Sequence, residues 1–364
     1  MTKKKILIAT GGTGGHTFPA CSLANYLIEK NYDVELTTDK RGYKYLENYS
    51  HLNLKKIPSS PLVKKNVVTI LYSVFLNFFS ILIAINFLIF NRPSLVFGMG
   101  GYSSFPICIA ASILRIKFII YENNLILGKA NKYLLPFSEK IFVSYKDLEG
   151  IKKKYNHKIY EVGNIVREEI LNANINNNEI ERFDSLKILV LGGSQAAKVF
   201  AEELPQIFEK LKKTDIPIKV YQQCQKTQNE QLTQFYKRAN IDNELFNFTN
   251  KINYYYSKAN LVITRSGASV LGELVNVKLP FISIPLPSSA DDHQYKNAEF
   301  YYKKGLGYLL DEKNIKNQLY DLIASIFKDK NSIEKILSNQ RQYSDKNIFS
   351  NLNLELQKIL NDQN

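Results

Sequence analysis

Residues 5–20, KILIATGGTGGHTFPA, decide the fold of the first half of the chain. Residues 6–9 are apolar and rich in β-branched side chains, four glycines follow within the next six residues, and a helical pattern begins at Pro19. This order predicts a buried strand, a glycine turn and a helix. Backbone amides at a helix start favour negative charge, so the turn suits an anion, while a tight turn without room for side chains explains the glycines equally.

The glycine turn matches neither of two common nucleotide-binding patterns. No Gly-Lys-Ser/Thr follows it, and the Rossmann fingerprint lacks its last glycine, because Gly14 is followed by Gly15, His16 and Thr17. Asp39, after the second predicted strand, has the position of a ribose-binding acid. A nicotinamide-dependent enzyme therefore stays open at this point.

Length and composition limit the class of protein. The chain has 364 residues, of which 45% are hydrophobic, which is enough for two domains. The formal net charge of +14 suits nucleic acid, an anionic membrane surface or a phosphorylated ligand. Three scattered cysteines without metal-ligand spacing indicate a reducing compartment and no metal site. The N-terminal apolar run is too short for a signal peptide, which predicts cytoplasmic placement.

A second glycine turn divides the chain into two halves. Residues 187–191 form a buried-type strand, followed by GGSQ and a helical stretch from about residue 196 to 213. In both halves strand-like and helix-like segments alternate, which predicts an α/β protein with two Rossmann-like domains that face a cleft. We expect an N-terminal domain at 1–163, a C-terminal domain at 164–343 and a final helix at 344–364 packing back on the N-terminal domain.

Residues 67–90 contain no charge and are preceded by Lys64 and Lys65. A run of this length can span a bilayer, but spanning would divide the strands of one predicted sheet between two sides of the membrane. A fully buried core helix is the second reading, and it requires partners for Asn77 and Asn86. We favour a helix, or pair of helices, whose outer face dips into an anionic membrane surface.

Further polar groups follow predicted strands. The turn GMGGY at 98–102 lets a bulky substrate approach the backbone, and YENN at 121–124 offers a carboxylate and amides to a hydroxyl-rich ligand or caps a helix. In the second half, TRSGAS at 264–269 precedes Glu273, an arrangement that suits a diphosphate and a ribose. The loop DDHQ at 291–294 suits sugar hydroxyls better than a metal, since no third ligand is spaced for one.

Seven motifs in order, GGTGGH, GMGGYSSFP, ENN, VGNIVR, LGGSQ, RSGASVLGE and DDHQYKNA, closely resemble the MurG family of bacterial N-acetylglucosaminyltransferases. The resemblance covers nearly the whole chain. It implies a GT-B fold and inverting transfer of N-acetylglucosamine from UDP-N-acetylglucosamine to the C4 hydroxyl of N-acetylmuramoyl-pentapeptide on undecaprenyl diphosphate, converting lipid I to lipid II in peptidoglycan synthesis. It also implies a peripheral position on the cytoplasmic face of the inner membrane, without a cofactor or metal.

The resemblance also implies which residues act. Two are candidates for the catalytic base, and His16, which titrates near neutrality, is preferred over Glu122. Gly100, Gly101 and Tyr102 form the acceptor loop. The donor-binding residues are Thr13, Gly14, Gly15, Asn124, Arg167, Ser194, Thr249, Ala268, Ser269, Val270, Leu271, Gly272, Glu273 and Gln294.

Some positions depart from the family pattern. The family commonly has His-Glu-Gln-Asn at 121–124 and Asn-Pro-Val-Arg at 164–167, where this chain has YENN and NIVR, and residues 221–226 lack the usual glycine. These departures bear on loop geometry and donor affinity.

Other functions stay open. A related glycolipid glycosyltransferase or a UDP-sugar epimerase would share the fold, and a membrane-bound scaffold could bind UDP-sugar without turnover. Nucleic-acid binding is not expected, because the lysines are spread along the chain.

Overall fold

The structure is a computed structural model that describes residues 3–47, 49–60, 67–171, 183–193, 197–249 and 251–361. The chain forms two compact units. The first comprises Met1–Arg167 and Asp345–Asn364, and the second comprises Glu168–Ser344. The sequence predicts domain limits at 163/164 and 343/344. The sequence also has a polar stretch near the first limit, NANINNNEIERFD at 172–184, and most of it lies outside the described residues.

The first unit contains a parallel sheet of seven strands in the order β3-β2-β1-β4-β5-β6-β7. The strand order reverses between β1 and β4, and in open α/β sheets ligands bind at such a point, beyond the carboxyl ends of the strands. The strands are β1 (Lys5–Ala9), β2 (Asp33–Thr38), β3 (Asn53–Lys56), β4 (Leu95–Gly98), β5 (Phe118–Glu122), β6 (Lys140–Val143) and β7 (Ile159–Glu161).

The second unit repeats this plan with six parallel strands in the order β10-β9-β8-β11-β12-β13. Here the order reverses between β8 and β11. The strands are β8 (Leu186–Leu191), β9 (Ile218–Gln223), β10 (Asp242–Phe246), β11 (Leu261–Thr264), β12 (Phe281–Ser283) and β13 (Tyr308–Leu309). Two Rossmann-like α/β units are therefore confirmed.

Helices connect the strands and cover both sheets. The first unit contains α1 (Gly14–Glu29), α2 (Lys40–Leu46), α3 (Val67–Phe90), α4 (Phe105–Ile113), α5 (Lys129–Leu134) and, at the chain end, α14 (Ile348–Asn361). The second contains α6 (Glu168–Leu171), α7 (Lys198–Lys213), α8 (Asn229–Arg238), α9 (Ile252–Lys258), α10 (Ala268–Asn276), α11 (His293–Lys303), α12 (Ile315–Lys328) and α13 (Lys330–Arg341).

Helix α1 begins earlier than the sequence predicts. The backbone amides of His16 and Thr17 both donate to the carbonyl of Thr13, so the helical pattern starts at Gly14 and continues through Pro19. The turn itself is thus shorter than expected, and Gly14, Gly15 and His16 belong to the first helical turn. The side chain of His16 is consequently oriented by a helix and not by a loop.

Helix α3 is a single long helix with an exposed apolar face. Its residues Thr69–Phe90 are long and apolar enough to cross a membrane by length and composition. Near its C-terminal end, Ala84, Phe87 and Leu88 pack in the core of the first unit. Asn77 lies nearer the start of the helix, where its side-chain amide donates to the carbonyls of Ser60 and Ser73.

Helix α14 belongs to the first unit, although it ends the chain. The ring of Phe349 stacks on Tyr26 of α1 with 5.0 Å between centroids. Two lysines, each one residue before a strand, reach the last turn of α14. Lys4, before β1, donates from Nζ to the carbonyl of Leu360, and Lys117, before β5, donates from Nζ to that of Ile359. Such cations complement the unpaired carbonyls of a helix C-terminus.

Candidate active site

The first turn of α1 packs against the turn that follows β4. Gly100 and Gly101 both have positive φ, at 86° and 72°. A Cβ at Gly100 would lie 3.4 Å from Cε1 of His16, and one at Gly101 would lie 3.5 Å from its Cδ2. The two glycines therefore provide the left-handed backbone, and the imidazole lies directly against both of them. His16 and the predicted acceptor loop lie together, as neighbours at the reversal point of the sheet.

Asp39 braces the glycine turn from the end of β2. Its Oδ1 accepts hydrogen bonds from the backbone amides of Gly12, at 2.9 Å, and Gly42, at 2.8 Å. Tyr102 donates its hydroxyl to Oδ2 at 3.4 Å. The carboxylate is 3% exposed, so these bonds use it as an internal cap of α2 and not as a ribose ligand. The nicotinamide interpretation, which rested on Asp39, loses its support.

Glu122, at the end of β5, organises the loop that follows it. Its Oε1 accepts from the backbone amide of Asn124 at 3.2 Å and from the Asn124 side-chain amide at 2.8 Å. Its Oε2 accepts from the amide of Gly128 at 2.9 Å and from Asn131 Nδ2 at 3.0 Å. A buried carboxylate with four such bonds holds Asn124 in place and has little capacity left to take a proton from a substrate.

Tyr121 joins the ends of three neighbouring strands. Its hydroxyl lies 2.9 Å from Ser144 Oγ after β6, donates to the carbonyl of Gly163 and accepts from the amide of Ile165 after β7. Burial raises the pKa of this hydroxyl, and the hydrogen bonds with Ser144 and Ile165 oppose the rise. Tyr121 stays neutral at physiological pH and fixes the backbone two residues before Arg167.

Arg167 lies over an aromatic ring of α1. Its guanidinium carbon is 5.3 Å from the centroid of Phe18, within the range of a cation–π contact. The same ring approaches Gly14, where a Cβ would be only 2.7 Å from it. The structure thus brings Arg167 to the start of α1, beside Gly14 and the exposed Thr13. Asn124, half-buried, follows β5 at the same edge of the sheet.

In the second unit, the predicted donor residues gather at the start of α10. Ala268, Leu271, Gly272 and Glu273 are buried, and Ser269 and Val270 are half-buried. The helix follows β11 directly, so its amino end lies at the carboxyl edge of the sheet. Glu273 is 6% exposed, and its Oε2 accepts from the hydroxyl of Tyr256 on α9 at 2.9 Å. Ser194 lies outside the described residues.

Gln294 and Thr249 occupy the same edge. The side-chain carbonyl of Gln294 accepts from the amides of Ser266, at 3.3 Å, and Leu286, at 3.0 Å. It therefore ties the loop after β11 to the loop after β12 and leaves its NH2 group as the end suited to a sugar hydroxyl. Thr249 follows β10, and its Oγ1 accepts from the amide of Lys251 at 2.9 Å.

Arg265 is a buried cation within the TRSGAS motif for which the sequence predicts no role of its own. Its Nη1 donates to the carbonyls of Ile284 and Pro285, each at 3.2 Å, and its Nη2 forms an ion pair with Glu312. The guanidinium also lies over the ring of Phe200 at 4.7 Å. Both terminal nitrogens are therefore engaged within the second unit, where Arg265 holds the loop after β12 on which Gln294 depends.

Within the described ranges no group of three His, Cys, Asp or Glu side chains lies close enough to hold a metal ion. Asp291 and Asp292 both have left-handed backbone, with φ of 51° and 56°, and lead directly into α11. Aspartate tolerates this conformation better than most residues do. All three cysteines belong to the described residues and are buried free thiols.

Two family models match the chain. The glycosyltransferase family 28 N-terminal domain covers residues 6–143, and the C-terminal domain of the same family covers 187–352. A relative from Pelagibacter ubique, named UDP-N-acetylglucosamine--N-acetylmuramyl-(pentapeptide) pyrophosphoryl-undecaprenol N-acetylglucosamine transferase, is 35% identical over 364 residues and 99% of each chain. A relative of the same name from Rickettsia felis is 35% identical over 92% of this chain and 94% of its own.

A solved structure agrees on the fold. The crystal structure of Acinetobacter baumannii MurG superposes with a TM-score of 0.78, covering 98% of this chain and 100% of that one, at 23% sequence identity. The two family domains, the full-length relatives and the two-unit α/β fold all indicate the same family. The chain belongs to glycosyltransferase family 28, among the MurG-type N-acetylglucosamine transferases.

Proposed function

We propose that this chain transfers N-acetylglucosamine from UDP-N-acetylglucosamine to the C4 hydroxyl of N-acetylmuramoyl-pentapeptide on undecaprenyl diphosphate, with inversion at the sugar carbon. The observation that carries the proposal is the 35% identity with transferases of that name over 99% of both chains. The enzyme is then a hexosyltransferase of peptidoglycan synthesis. The donor is the nucleotide sugar, and the acceptor is the lipid-linked muramoyl peptide.

His16 is the proposed general base. In a direct displacement, the acceptor hydroxyl attacks the sugar carbon while UDP leaves, so one group must take the hydroxyl proton. The imidazole of His16 is half-buried beside Gly100 and Gly101, and its backbone is fixed because Thr10 Oγ1 donates to its carbonyl at 3.0 Å. Glu122 is the second candidate, but its four hydrogen bonds support a positioning role for Asn124 instead.

Each unit holds residues that are proposed to bind the donor. Amides at the start of α10 suit the diphosphate, and Arg167 adds a positive charge as UDP leaves. Ser194 is assigned to the diphosphate by the family resemblance alone. Glu273 would accept from ribose hydroxyls, Gln294 and Asn124 would bind the amino sugar, and the Thr249 backbone would contact uracil. We propose that these amides and Arg167 stabilise the leaving diphosphate without a metal.

The N-terminal domain is proposed to bind the acceptor and to rest on the cytoplasmic face of the inner membrane. Large side chains on α3 are well exposed, among them Leu71 at 64%, Phe75 at 63% and Phe78 at 60%. Positions 71, 75, 78 and 82 recur at helical spacing and form one stripe. Such a stripe inserts shallowly into the region between headgroups and acyl chains. Anionic lipid attracts this protein because its formal net charge is +14.

Transfer of radiolabelled N-acetylglucosamine to a lipid I analogue by purified protein tests the activity. Reactions with UDP-glucose and without acceptor serve as controls. Acceptor-dependent transfer is expected, with His16→Ala reducing kcat strongly and leaving donor binding intact. Release of UDP or sugar epimerisation without acceptor would favour the epimerase, and donor binding without transfer to any lipid acceptor would favour the scaffold.

Membrane binding is tested separately by sedimentation with vesicles of phosphatidylglycerol and phosphatidylcholine. The double substitution Phe75→Glu and Phe78→Glu should release the protein from the vesicles. The matched control is Phe248→Glu, at an exposed phenylalanine of the second unit that is 52% exposed. Equal binding of wild type and the α3 variant would contradict the proposal.

A further inference from the structure

Arg41 is a solvent-exposed cation beside the glycine turn, and the donor and catalytic assignments above do not use it. It lies in the first turn of α2, two residues after Asp39. Its side chain is 55% exposed, and its Nη2 lies 3.5 Å from the position that a Cβ would take at Gly12. The glycine turn that leads into α1, and so to His16, therefore has a guanidinium beside Gly12.

Two contacts hold Arg41 in this position. Its guanidinium carbon lies 4.8 Å from the centroid of the Tyr102 ring. Its Nε lies 3.7 Å from Oδ2 of Asp39, which also accepts the Tyr102 hydroxyl. Stacking and the ion pair restrict a long side chain that otherwise loses much rotamer freedom on binding a ligand. Arg41 is thus prearranged to bind an anion through the N–H groups that face solvent.

The charge balance at this point depends on Arg41. Asp39 places a negative charge under the glycine turn, where two backbone amides and Tyr102 bind it. Arg41 covers that carboxylate on the solvent side. Removing the guanidinium would delete a cation and also uncover an anion, so an incoming phosphate would be repelled. The loss should exceed that of an ordinary surface arginine.

A second polar group in the same place is without a partner. Ser103 is 7% exposed, and its Oγ makes no hydrogen bond to any described residue. That oxygen lies 2.6 Å from the Cβ position of Gly11 and 4.0 Å from that of Gly12, between the turns after β1 and β4. A buried hydroxyl without a partner is costly, and it is satisfied when an acceptor oxygen reaches it.

We infer that Arg41, held by Tyr102 and Asp39, binds the diphosphate of the lipid-linked acceptor and sets the preference for a diphosphate over a monophosphate. The inference rests on the proposed function. The acceptor's reacting hydroxyl and its diphosphate are attached to the same sugar ring. His16 would take the proton of the hydroxyl at one end of that ring, and Arg41, beside Gly12, would bind the diphosphate at the other end. Arginine binds phosphate oxygens bidentately, which lysine cannot do.

Kinetics with a short-chain, water-soluble diphosphate acceptor tests this without interference from membrane binding. Arg41→Ala should raise the KM for the acceptor about tenfold to hundredfold, the range of a charge-assisted bond, and leave the KM for UDP-N-acetylglucosamine unchanged. Arg41→Lys should recover part of the loss. The matched control is Lys30→Ala, which removes an exposed cation over a tyrosine, Tyr26, at the opposite end of α1.

A monophosphate acceptor gives a readout that a structural defect would not change. The wild type should prefer diphosphate to monophosphate strongly, and Arg41→Ala should lose most of that preference. An acceptor KM within twofold of wild type, or an unchanged preference, would overturn the inference while the activity stands. A rise in donor KM instead would assign Arg41 to the donor diphosphate. A wild type that transfers to no acceptor would refute the proposed function itself.

Discussion

Glu122→Gln separates a positioning role from a catalytic one with almost no change in size. The carboxylate accepts from the amides of Asn124 and Gly128 and from the side chains of Asn124 and Asn131. Glutamine replaces one of the two oxygens by an NH2 group. In either orientation, that group faces two donors, which then lose their acceptor.

The magnitude follows from those two donors. A buried donor left without a partner costs about 1–3 kcal/mol, so two cost about 2–6 kcal/mol before the loop relaxes. We take the lower half of that range, about 3 kcal/mol, because Asn124 is half-buried and can turn toward water. In a domain of this size each kcal/mol lowers Tm by about 2–4 °C, so Tm should fall by about 6–12 °C.

Thermal unfolding and steady-state kinetics together provide the assay. We expect Glu122→Gln to lower Tm and to raise the KM for UDP-N-acetylglucosamine through displacement of Asn124. The pH dependence of kcat should keep its shape, because His16 remains. Glu139→Gln, at an exposed glutamate of the same unit, controls for the loss of one charge. A variant with unchanged Tm, abolished kcat and a lost acidic limb of the pH profile would refute the reasoning and make Glu122 the base.

The remaining predictions concern Asp39, Arg265 and the buried thiols. Asp39→Ala should lower the free energy of unfolding by about 2 kcal/mol in urea, since the backbone amides of Gly12 and Gly42 lose their acceptor, and an unchanged midpoint would count against this. Arg265→Lys keeps the charge but not the fork that holds two carbonyls and Glu312, so the donor KM should rise while the acceptor KM does not. Burial raises the pKa of Cys21 to about 12 and that of Cys108 further. Because the unfolded thiols ionise near pH 8.5, the unfolded chain releases protons first, and stability should fall as pH rises from about 9 to 12; constant stability to pH 11 in denaturant titrations would contradict this.

Local sequence was sufficient for the elements that line the site. The strands before both glycine turns are short apolar runs, and the uncharged run at 67–90 coincides with α3. In these places the structure is determined within a few residues, by the spacing of hydrophobic side chains and by the glycines that end each strand, so the sequence pattern and the structure agree. The start of α1 was misplaced because Pro19 resembles a helix start, whereas the amides of His16 and Thr17 already bond to Thr13.

The contacts that orient the site could not be predicted in this way. Asp39 and Gly12 are 27 residues apart, and Tyr256 and Glu273 are 17 residues apart. The first pair meets because parallel strands bring their carboxyl ends to one edge, and the second pair joins helices α9 and α10. The residue types gave a weak signal, since an aspartate at a helix start usually caps its own helix. Asp39 does so, and it also accepts the glycine turn's amide.

Two departures from the family motifs meet in the structure. Tyr121 stands where the family commonly has histidine, and Ile165 stands where it has proline. The hydroxyl of Tyr121 accepts the backbone N–H of Ile165 at 2.9 Å, and proline has no such N–H to give. The tyrosine accepts this N–H because no proline stands at 165, and the isoleucine's buried amide has the tyrosine hydroxyl as its acceptor. The loop that leads to Arg167 is thus held by a bond that neither substitution alone would provide. Because burial keeps the tyrosine hydroxyl neutral, that bond does not depend on pH near neutrality, as a histidine there would.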